Sequence, residues 1–477
     1  MGANELKQQE KITRMTTAPL RPLIVRLAIP TMISMLVTTL YNLVDTYFVG
    51  QLKDVRATAA VTVAYALMNI IQATGFFFGQ GSGNYISRTM GKGDVERCRR
   101  MAATGFFGAV CAGFLLLLFG TVFLRPLAML CGSAGDETSL SFAADYMRII
   151  LLGAPVMCGS IVLNNQLRFQ GNATFAMIGL ASGAVINVAL DALLVPRLQV
   201  TGAALATVIC QCVSFAVLLV CSRFFSDNIN FSIRDVTFRA EYLFEIFRGG
   251  FPSLCRQGVA SLMNVSLMHC CNIVAAEADP NMIQAAFGIV SKVMMFTASM
   301  MIGFGQGFQP VCGFNYGAGK YDRVKRAYFF CVAVSLVFLS AMAITFFFAG
   351  RSILSFIQAS GSDGKGEQTV ALAVRILRWQ LLSLPLSSFI VMSNMMLQTT
   401  GNVVGASVLA MSRQGLALIP AMFVLSLAFG SEGLIRAQPI ADLAAFLISI
   451  PFVLRLMKKM KREEEKKRAS LDGGGNV

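Results

Sequence analysis

Two aspartates lie inside long apolar stretches of this sequence, Asp45 and Asp191. A carboxylate at the centre of a bilayer costs about 2.5–3.5 kcal/mol on insertion scales, so each one requires a reason. Asn187 precedes Asp191 by one helical turn and therefore lies on the same helix face. Carboxylate and amide oxygens together can hold a proton, a hard cation or a cationic organic molecule. The alternative is that each aspartate is merely hydrated near a helix end.

Helix lengths predict that these groups reach one level of the membrane. At about 1.5 Å per residue, Asp45 lies about 33 Å along the first apolar stretch and Asp191 about 27 Å along the fifth. Thr207, about two turns into the sixth stretch, and Tyr146, on the fourth, fall at a similar depth. The lengths therefore predict a polar site in the outer half of the membrane, but they do not show which helix faces meet.

The second half of the chain lacks these acids and carries basic residues in its apolar stretches instead: Arg256, Lys292 and Arg413. It also contains Asp442. Arg413 lies about 16 Å from one face of the membrane and Asp442 about 14 Å from the other, so the two can pair near the midplane. A neutralised structural pair is the simpler interpretation, and ion coupling is therefore expected in the first half.

The composition identifies the elements that position these groups. Of 477 residues, 55% are hydrophobic and only 14% are charged, and the mean hydropathy is +0.65. Soluble domains have about 25% charged residues, so this composition excludes a soluble enzyme, a nucleic-acid-binding protein and a disordered protein. The cysteine spacing, the single histidine (His269) and the absence of a P-loop predict no metal centre, cofactor or ATPase.

Twelve apolar stretches are long enough to cross a bilayer as helices. They are 22–50, 57–87, 99–124, 138–166, 173–195, 201–224, 241–274, 281–313, 324–349, 368–398, 402–428 and 433–457. Lys and Arg concentrate on the side that bears both termini, which the positive-inside rule makes cytoplasmic. The predicted parts are an N-terminal tail (1–21), an N-terminal lobe of six helices (22–224), a cytoplasmic linker (225–240), a C-terminal lobe of six helices (241–457) and a frayed, solvated C-terminal tail (458–477).

The chain is an internal duplication. Gly79-Gln80-Gly81 recurs in the second half as Gly305-Gln306-Gly307, and Gly171-Asn172 recurs in nearly the same register as Gly401-Asn402. Because each repeat has six spans, both keep the same orientation, which predicts a pseudo-two-fold axis along the membrane normal and a cleft between the lobes. This organisation is typical of transporters.

Several motifs resemble those of the multidrug and toxic compound extrusion (MATE) family, over essentially the whole chain without its tails. They are Pro30 with Tyr41-Asn42-Leu43-Val44-Asp45, Gly79-Gln80-Gly81-Ser82-Gly83-Asn84, Gln309-Pro310, and Asn315-Tyr316-Gly317-Ala318-Gly319. An acid in span one, Asn187 with Asp191 in span five, and no acid in span seven resemble the DinF-like branch of the family.

The resemblance implies roles for individual residues. It implies a cation-coupling site at Asp45, Asn187, Asp191 and Thr207, which binds H⁺ or Na⁺, and a substrate cavity that includes Tyr41, Met68, Tyr146 and Asn164. Pro30 matches the proline at which span one is proposed to bend on protonation. The C-lobe residues Arg256, Lys292, Arg413 and Asp442 remain charged candidates without an assigned role.

The function that the resemblance implies is secondary antiport in a prokaryotic inner membrane. The protein would export cationic or amphipathic drugs in exchange for H⁺ or Na⁺ by alternating access, as a monomer with both termini cytoplasmic and no nucleic-acid partner. A flippase for a lipid-linked saccharide is the alternative, which the basic C-lobe residues favour and the first-lobe acids oppose. A membrane-embedded enzyme or channel is a second alternative, but the sequence shows no nucleophile–base pair or metal cluster for an enzyme, and a six-plus-six repeat with a cleft does not suggest a pore.

Overall fold

The computed structural model describes residues 3–50, 55–126, 137–225, 232–275, 279–359 and 366–472. Within these ranges the regular structure is helical, without any strand. This follows from the composition, because backbone N–H and C=O groups inside hydrocarbon must find partners within their own segment.

The helices are α1 (Ala3–Thr17), α2 (Leu20–Gly50), α3 (Val55–Lys92), α4 (Val95–Val122), α5 (Glu137–Phe169), α6 (Ala173–Phe225), α7 (Ala240–Ile273), α8 (Pro280–Gly317), α9 (Tyr321–Ala359), α10 (Gly366–Thr399), α11 (Val403–Met411) and α12 (Leu418–Asp472). A short 3-10 turn covers Ile233–Asp235, and a π-helical turn at Ser412–Leu416 joins α11 to α12.

The predicted all-α fold with twelve transmembrane helices is confirmed across the described residues. α6 contains the fifth and sixth spans, and α11, the π turn and α12 contain the eleventh and twelfth. Eight continuous helical segments of the described chain are long and apolar enough to cross a membrane, and two of these, Ala173–Phe224 and Val403–Lys467, each hold two spans. α3 and α7, with 38 and 34 residues, complete the twelve.

The backbone repeats the duplication seen in the sequence. The turn between the fourth and fifth spans has Gly171 at φ +85°, and its counterpart in the second half has Gly401 at φ +80°. The reversal between spans five and six occurs at Gln199 (φ 52°, ψ −129°), and that between spans eleven and twelve at Gly430 (φ 57°, ψ −139°). The two halves therefore turn at corresponding points with the same backbone geometry.

One ion pair also recurs in each half. Arg99, at the start of the third span, contacts Asp235 at 3.1 Å, in the segment that follows the sixth span. Lys325, at the start of the ninth, contacts Glu464 at 3.3 Å, in the segment that follows the twelfth. Each six-helix repeat thus binds its own C-terminal extension through equivalent positions.

The chain forms two compact units. Unit 1 comprises Met1–Leu254 and Gln309–Ala318, and unit 2 comprises Cys255–Phe308 and Gly319–Val477. Consequently α7 begins in unit 1 and ends in unit 2, whereas α8 begins in unit 2 and ends in unit 1. A Cβ atom on Gly81 would overlap the Ile246 carbonyl, and one on Gly91 would overlap the Phe314 carbonyl, so glycine lets α3 approach both helix ends inside unit 1.

The terminal segments are more structured than the sequence predicts. α1 packs on unit 1, where Met15 is 4% exposed and the Asn315 side-chain amide donates to the Met15 carbonyl at 3.1 Å. The expectation of a frayed tail is wrong for residues 458–472, because α12 continues to Asp472. Ion pairs such as Lys466 with Glu463, three residues apart, support a helix in this highly charged segment.

The reversal at Gln199 provides a stability test. Its positive φ suits glycine, which the equivalent position Gly430 already has. We expect Gln199→Gly to raise the free energy of unfolding by about 1 kcal/mol, because it removes backbone strain. Thermal unfolding in detergent measures the change, with Gly430→Gln as the matched reverse substitution that should lower the melting temperature. A lower melting temperature for Gln199→Gly would contradict the proposed strain.

Candidate functional site

Asn187 and Asp191 lie in the first half of α6, four residues apart, before the reversal at Gln199. Asn187 is 1% exposed and Asp191 is 0% exposed. The Oδ1 atom of Asn187 is buried and accepts no hydrogen bond from the described residues. This helix turn therefore presents a buried carboxylate and an amide oxygen that is open to a ligand.

Thr207 lies in the second half of α6 and is also buried. Its backbone carbonyl accepts from the Cys210 thiol at 3.0 Å. Tyr146 of α5 and Met68 of α3 are both buried in the apolar core of unit 1. The structure thus places these three residues, together with Asn187 and Asp191, in the interior of the same unit.

Span one is the remaining contributor to the predicted site. α2 packs along α6, and its Tyr41 is half-buried. Asp45 lies within the range of α2, but its side chain is outside the part of the chain that the structure describes. The meeting of Asp45 with Asp191 therefore stays a prediction. Pro30 is inside α2, about three turns after the helix begins at Leu20.

Asn164 makes a contact that the sequence did not indicate. Its side-chain amide donates to the Ala176 carbonyl at 2.9 Å and so ties α5 to the beginning of α6. Asn394, its counterpart in the second repeat, makes the equivalent bond to the Ala406 carbonyl at 2.6 Å. The recurrence of this bond in the second half indicates a structural role for Asn164, and its assignment to a substrate cavity stays a prediction.

A buried polar network joins α3 to α5 in unit 1. The Gln80 side chain donates to Asn165 Oδ1 at 3.2 Å, and Gln166 donates to the Ser82 hydroxyl at 3.0 Å. Arg168 also donates to Asn165 Oδ1, at 2.7 Å. The Gly79-Gln80-Gly81 motif is evident in the sequence, but its partners on α5 are not, although a cluster of polar residues at the end of an apolar span was a usable signal.

The C-terminal unit contains the ion pair predicted from helix lengths. Arg413 Nε donates to Asp442 Oδ1 at 2.9 Å, and Asp442 is 1% exposed. Two further side chains donate hydrogen bonds to this carboxylate. Gln438 Nε2 donates to Asp442 Oδ1 at 3.0 Å, and the Ser383 hydroxyl donates to Asp442 Oδ2 at 2.7 Å. The pairing is confirmed. Gln438 and Ser383 were missed, although Gln438 lies one helical turn before Asp442 and its spacing predicts the contact.

The other two C-lobe bases have different surroundings. Arg256 is half-buried and Lys292 is exposed. Among the described residues neither makes an ion pair. Arg413 is therefore neutralised, and it does not join them in a cluster of free positive charge.

The fold and these sites define a class: a membrane protein built from two six-helix repeats. The MatE family model matches residues 30–193 and 258–424, one segment in each repeat. The chain therefore belongs to the MatE family.

Individual relatives agree with this assignment. The chain is 27% identical to the multidrug export protein MepA of Staphylococcus saprophyticus over 88% of this chain and 91% of the relative. It is 26% identical to MepA of Staphylococcus aureus over 92% of this chain and 96% of the relative. A solved outward-facing multidrug resistance MATE transporter superposes with a TM-score of 0.86 at 22% identity, over 94% of this chain and 98% of that one, and shares its fold.

Asn164 allows its structural role to be separated from its predicted substrate role. We expect Asn164→Leu to lower the free energy of unfolding by about 1 kcal/mol, because the Ala176 carbonyl loses a buried hydrogen bond. Asn394→Leu should cost a similar amount, since it removes the equivalent bond. Thermal unfolding measures stability, and ethidium fluorescence titration measures binding of a flat organic cation. Loss of ethidium binding by Asn164→Leu at an unchanged melting temperature would contradict the structural role and support the substrate assignment.

Proposed function

We propose that this protein is a secondary multidrug efflux antiporter, which exports cationic or amphipathic organic compounds in exchange for H⁺ or Na⁺ by alternating access. The observation that carries the proposal is the fully buried Asp191 with the open Asn187 oxygen one turn away. The names of the MepA relatives support export of drugs. We further propose that it acts as a monomer in a prokaryotic cell membrane with both termini cytoplasmic.

Coupling follows from the chemistry of a buried carboxylate. An ionised Asp191 attracts an organic cation, whereas a bound proton or Na⁺ neutralises the carboxylate and weakens that attraction. Carboxylate, amide and hydroxyl oxygens from Asp45, Asn187, Asp191 and Thr207 are the ligands that a hard cation prefers. Ion binding from outside would thus release the drug and permit the lobes to rock inward.

The driving force is sufficient for useful accumulation. One charge moved across 100 mV supplies about 2.3 kcal/mol. Because about 1.4 kcal/mol corresponds to a factor of ten, this supports a drug gradient of about fifty-fold per net charge. An ion concentration gradient adds to that value.

The alternative, a flippase for a lipid-linked saccharide, requires free basic groups to hold pyrophosphate. The Arg413 charge is balanced by the buried Asp442, so its terminal nitrogens can donate hydrogen bonds but add no net positive charge to hold a pyrophosphate. Of the three C-lobe bases that favour a flippase, only Arg256 and Lys292 make no ion pair among the described residues.

Transport by purified protein in vesicles tests the proposal. We expect ethidium efflux under an imposed pH or Na⁺ gradient, and we expect Asp45→Asn and Asp191→Asn each to reduce it at least about tenfold, because the ion can no longer neutralise a charge. Asp145→Asn is the matched control, since this aspartate of unit 1 is exposed. Efflux by both acid variants at the parent rate would show that the acid-pair mechanism is wrong. Failure of both gradients to drive efflux by the parent would overturn antiport itself.

A further inference from the structure

A cavity of about 360 Å³ lies within unit 2, and none of its lining residues belongs to the proposed coupling site of unit 1. Its volume is at the lower end of the range for small-molecule sites, about 300–1,000 Å³. One part of its wall is apolar and adaptable, formed by an aromatic ring and several thioethers: Phe287, Met263, Met294, Met295, Met301 and Met422. Such a wall suits a flat apolar body.

The polar part of the wall presents hydrogen-bond donors. Arg413 lines the cavity, and its side chain is 21% exposed. Only its Nε atom is engaged, with Asp442, so among the described residues both terminal nitrogens keep their N–H groups available. Asn264 and Gln414 add side-chain amides to the same wall.

The carboxylate that neutralises Arg413 cannot attract a cation into this cavity. Asp442 accepts from Arg413, Gln438 and Ser383 and is 1% exposed. The lining of the cavity, among the described residues, includes no acidic side chain. The cavity therefore presents N–H donors from a guanidinium and from side-chain amides, and its described lining has no acidic group to bind a positively charged head group.

The local backbone holds Arg413 in this position. The π turn Ser412–Leu416 interrupts the eleventh span, and Arg413 and Gln414, consecutive in that turn, both line the cavity. A Cβ on Gly415 would lie 2.6 Å from Val259 Cγ1, so glycine allows α7 to pack against the turn. π-helical turns are frequent at functional sites.

We infer that this cavity is a second binding site, which takes a flat amphipathic molecule that carries a carboxylate, with the carboxylate on the free Arg413 nitrogens. The inference goes beyond the proposed efflux of cations, and it concerns equilibrium binding, so it is tested independently of ion coupling.

The single tryptophan of the chain reports on this site. Trp379 directly precedes Gln380, which lines the cavity. Dansylglycine bound in the cavity would accept energy from Trp379 and quench its emission. We expect dansylglycine to bind the full-length protein in nanodiscs at least about tenfold more tightly than its methyl ester, because the ester loses the charge-assisted hydrogen bonds. Trp379→Phe nanodiscs give the background from lipid partitioning.

Two variants test whether Arg413 causes the preference for dansylglycine over its methyl ester. Arg413→Gln combined with Asp442→Asn replaces the ion pair with neutral amides, and it should reduce the acid-to-ester ratio to about one. Arg375→Gln, on the same helix as Trp379 but outside the cavity, should leave the ratio unchanged. Equal affinities for acid and ester in the parent, no quenching in the parent, or an unchanged ratio in the double variant would each overturn the inference. The parent comparison stands even where the double variant does not fold.

Competition against bound dansylglycine distinguishes two classes of carboxylate ligand, flat aromatic acids and fatty acids. 2-Naphthoate displaces dansylglycine if the site prefers a flat aromatic body, as inferred. Displacement by decanoate at lower concentration than by 2-naphthoate would instead identify a fatty-acid site and contradict the flat-body assignment.

Discussion

The cost of burying charge in an apolar interior is the constraint on which this structure depends. Asp191 and Asp442 are both almost completely removed from solvent, and each requires compensation. In unit 2 the compensation is built in, since a guanidinium, an amide and a hydroxyl all donate to Asp442. In unit 1 the predicted neighbours of Asp191 are oxygen ligands, which is the arrangement expected where an exchangeable cation binds.

The repeats show how one scaffold supports these two solutions. The second-half counterparts of Asn187 and Asp191 are Ala417 and Ala421. Conversely, the first-half counterpart of Arg413, in the register that pairs Gly171 with Gly401, is Gly183. A Cβ on Gly183 would lie 2.8 Å from the Cys210 carbonyl oxygen, so no basic side chain fits at that point of unit 1 without a backbone shift. Packing therefore disfavours a basic side chain at this point of unit 1, although the helix order and turns are the same in both halves.

Sequence patterns predicted what depends on hydrophobic length and repetition, and they missed what depends on local geometry. The twelve spans and the Arg413–Asp442 contact followed from apolar runs and helix rise. The reversal at Gln199 carried no glycine to signal it, and the π turn at Ser412–Leu416 has an ordinary helical sequence. The hydrogen bond from the Asn164 amide to the Ala176 carbonyl also depends on local geometry, and the position of Asn164 in the sequence did not indicate it.

The path of α7 and α8 bears on how alternating access would work in this fold. Each helix passes from one unit to the other, α7 after Leu254 and α8 after Phe308. Pro252 lies two residues before the first transition, and Pro310 lies two residues after the second. A proline removes one backbone hydrogen bond and weakens the helix against bending. The parts of both helices that belong to unit 1 pack closely against α3, where Gly81 and Gly91 leave room for them. If these two helices bend in the proposed alternating access, the prolines make the transitions the places where bending breaks the fewest hydrogen bonds.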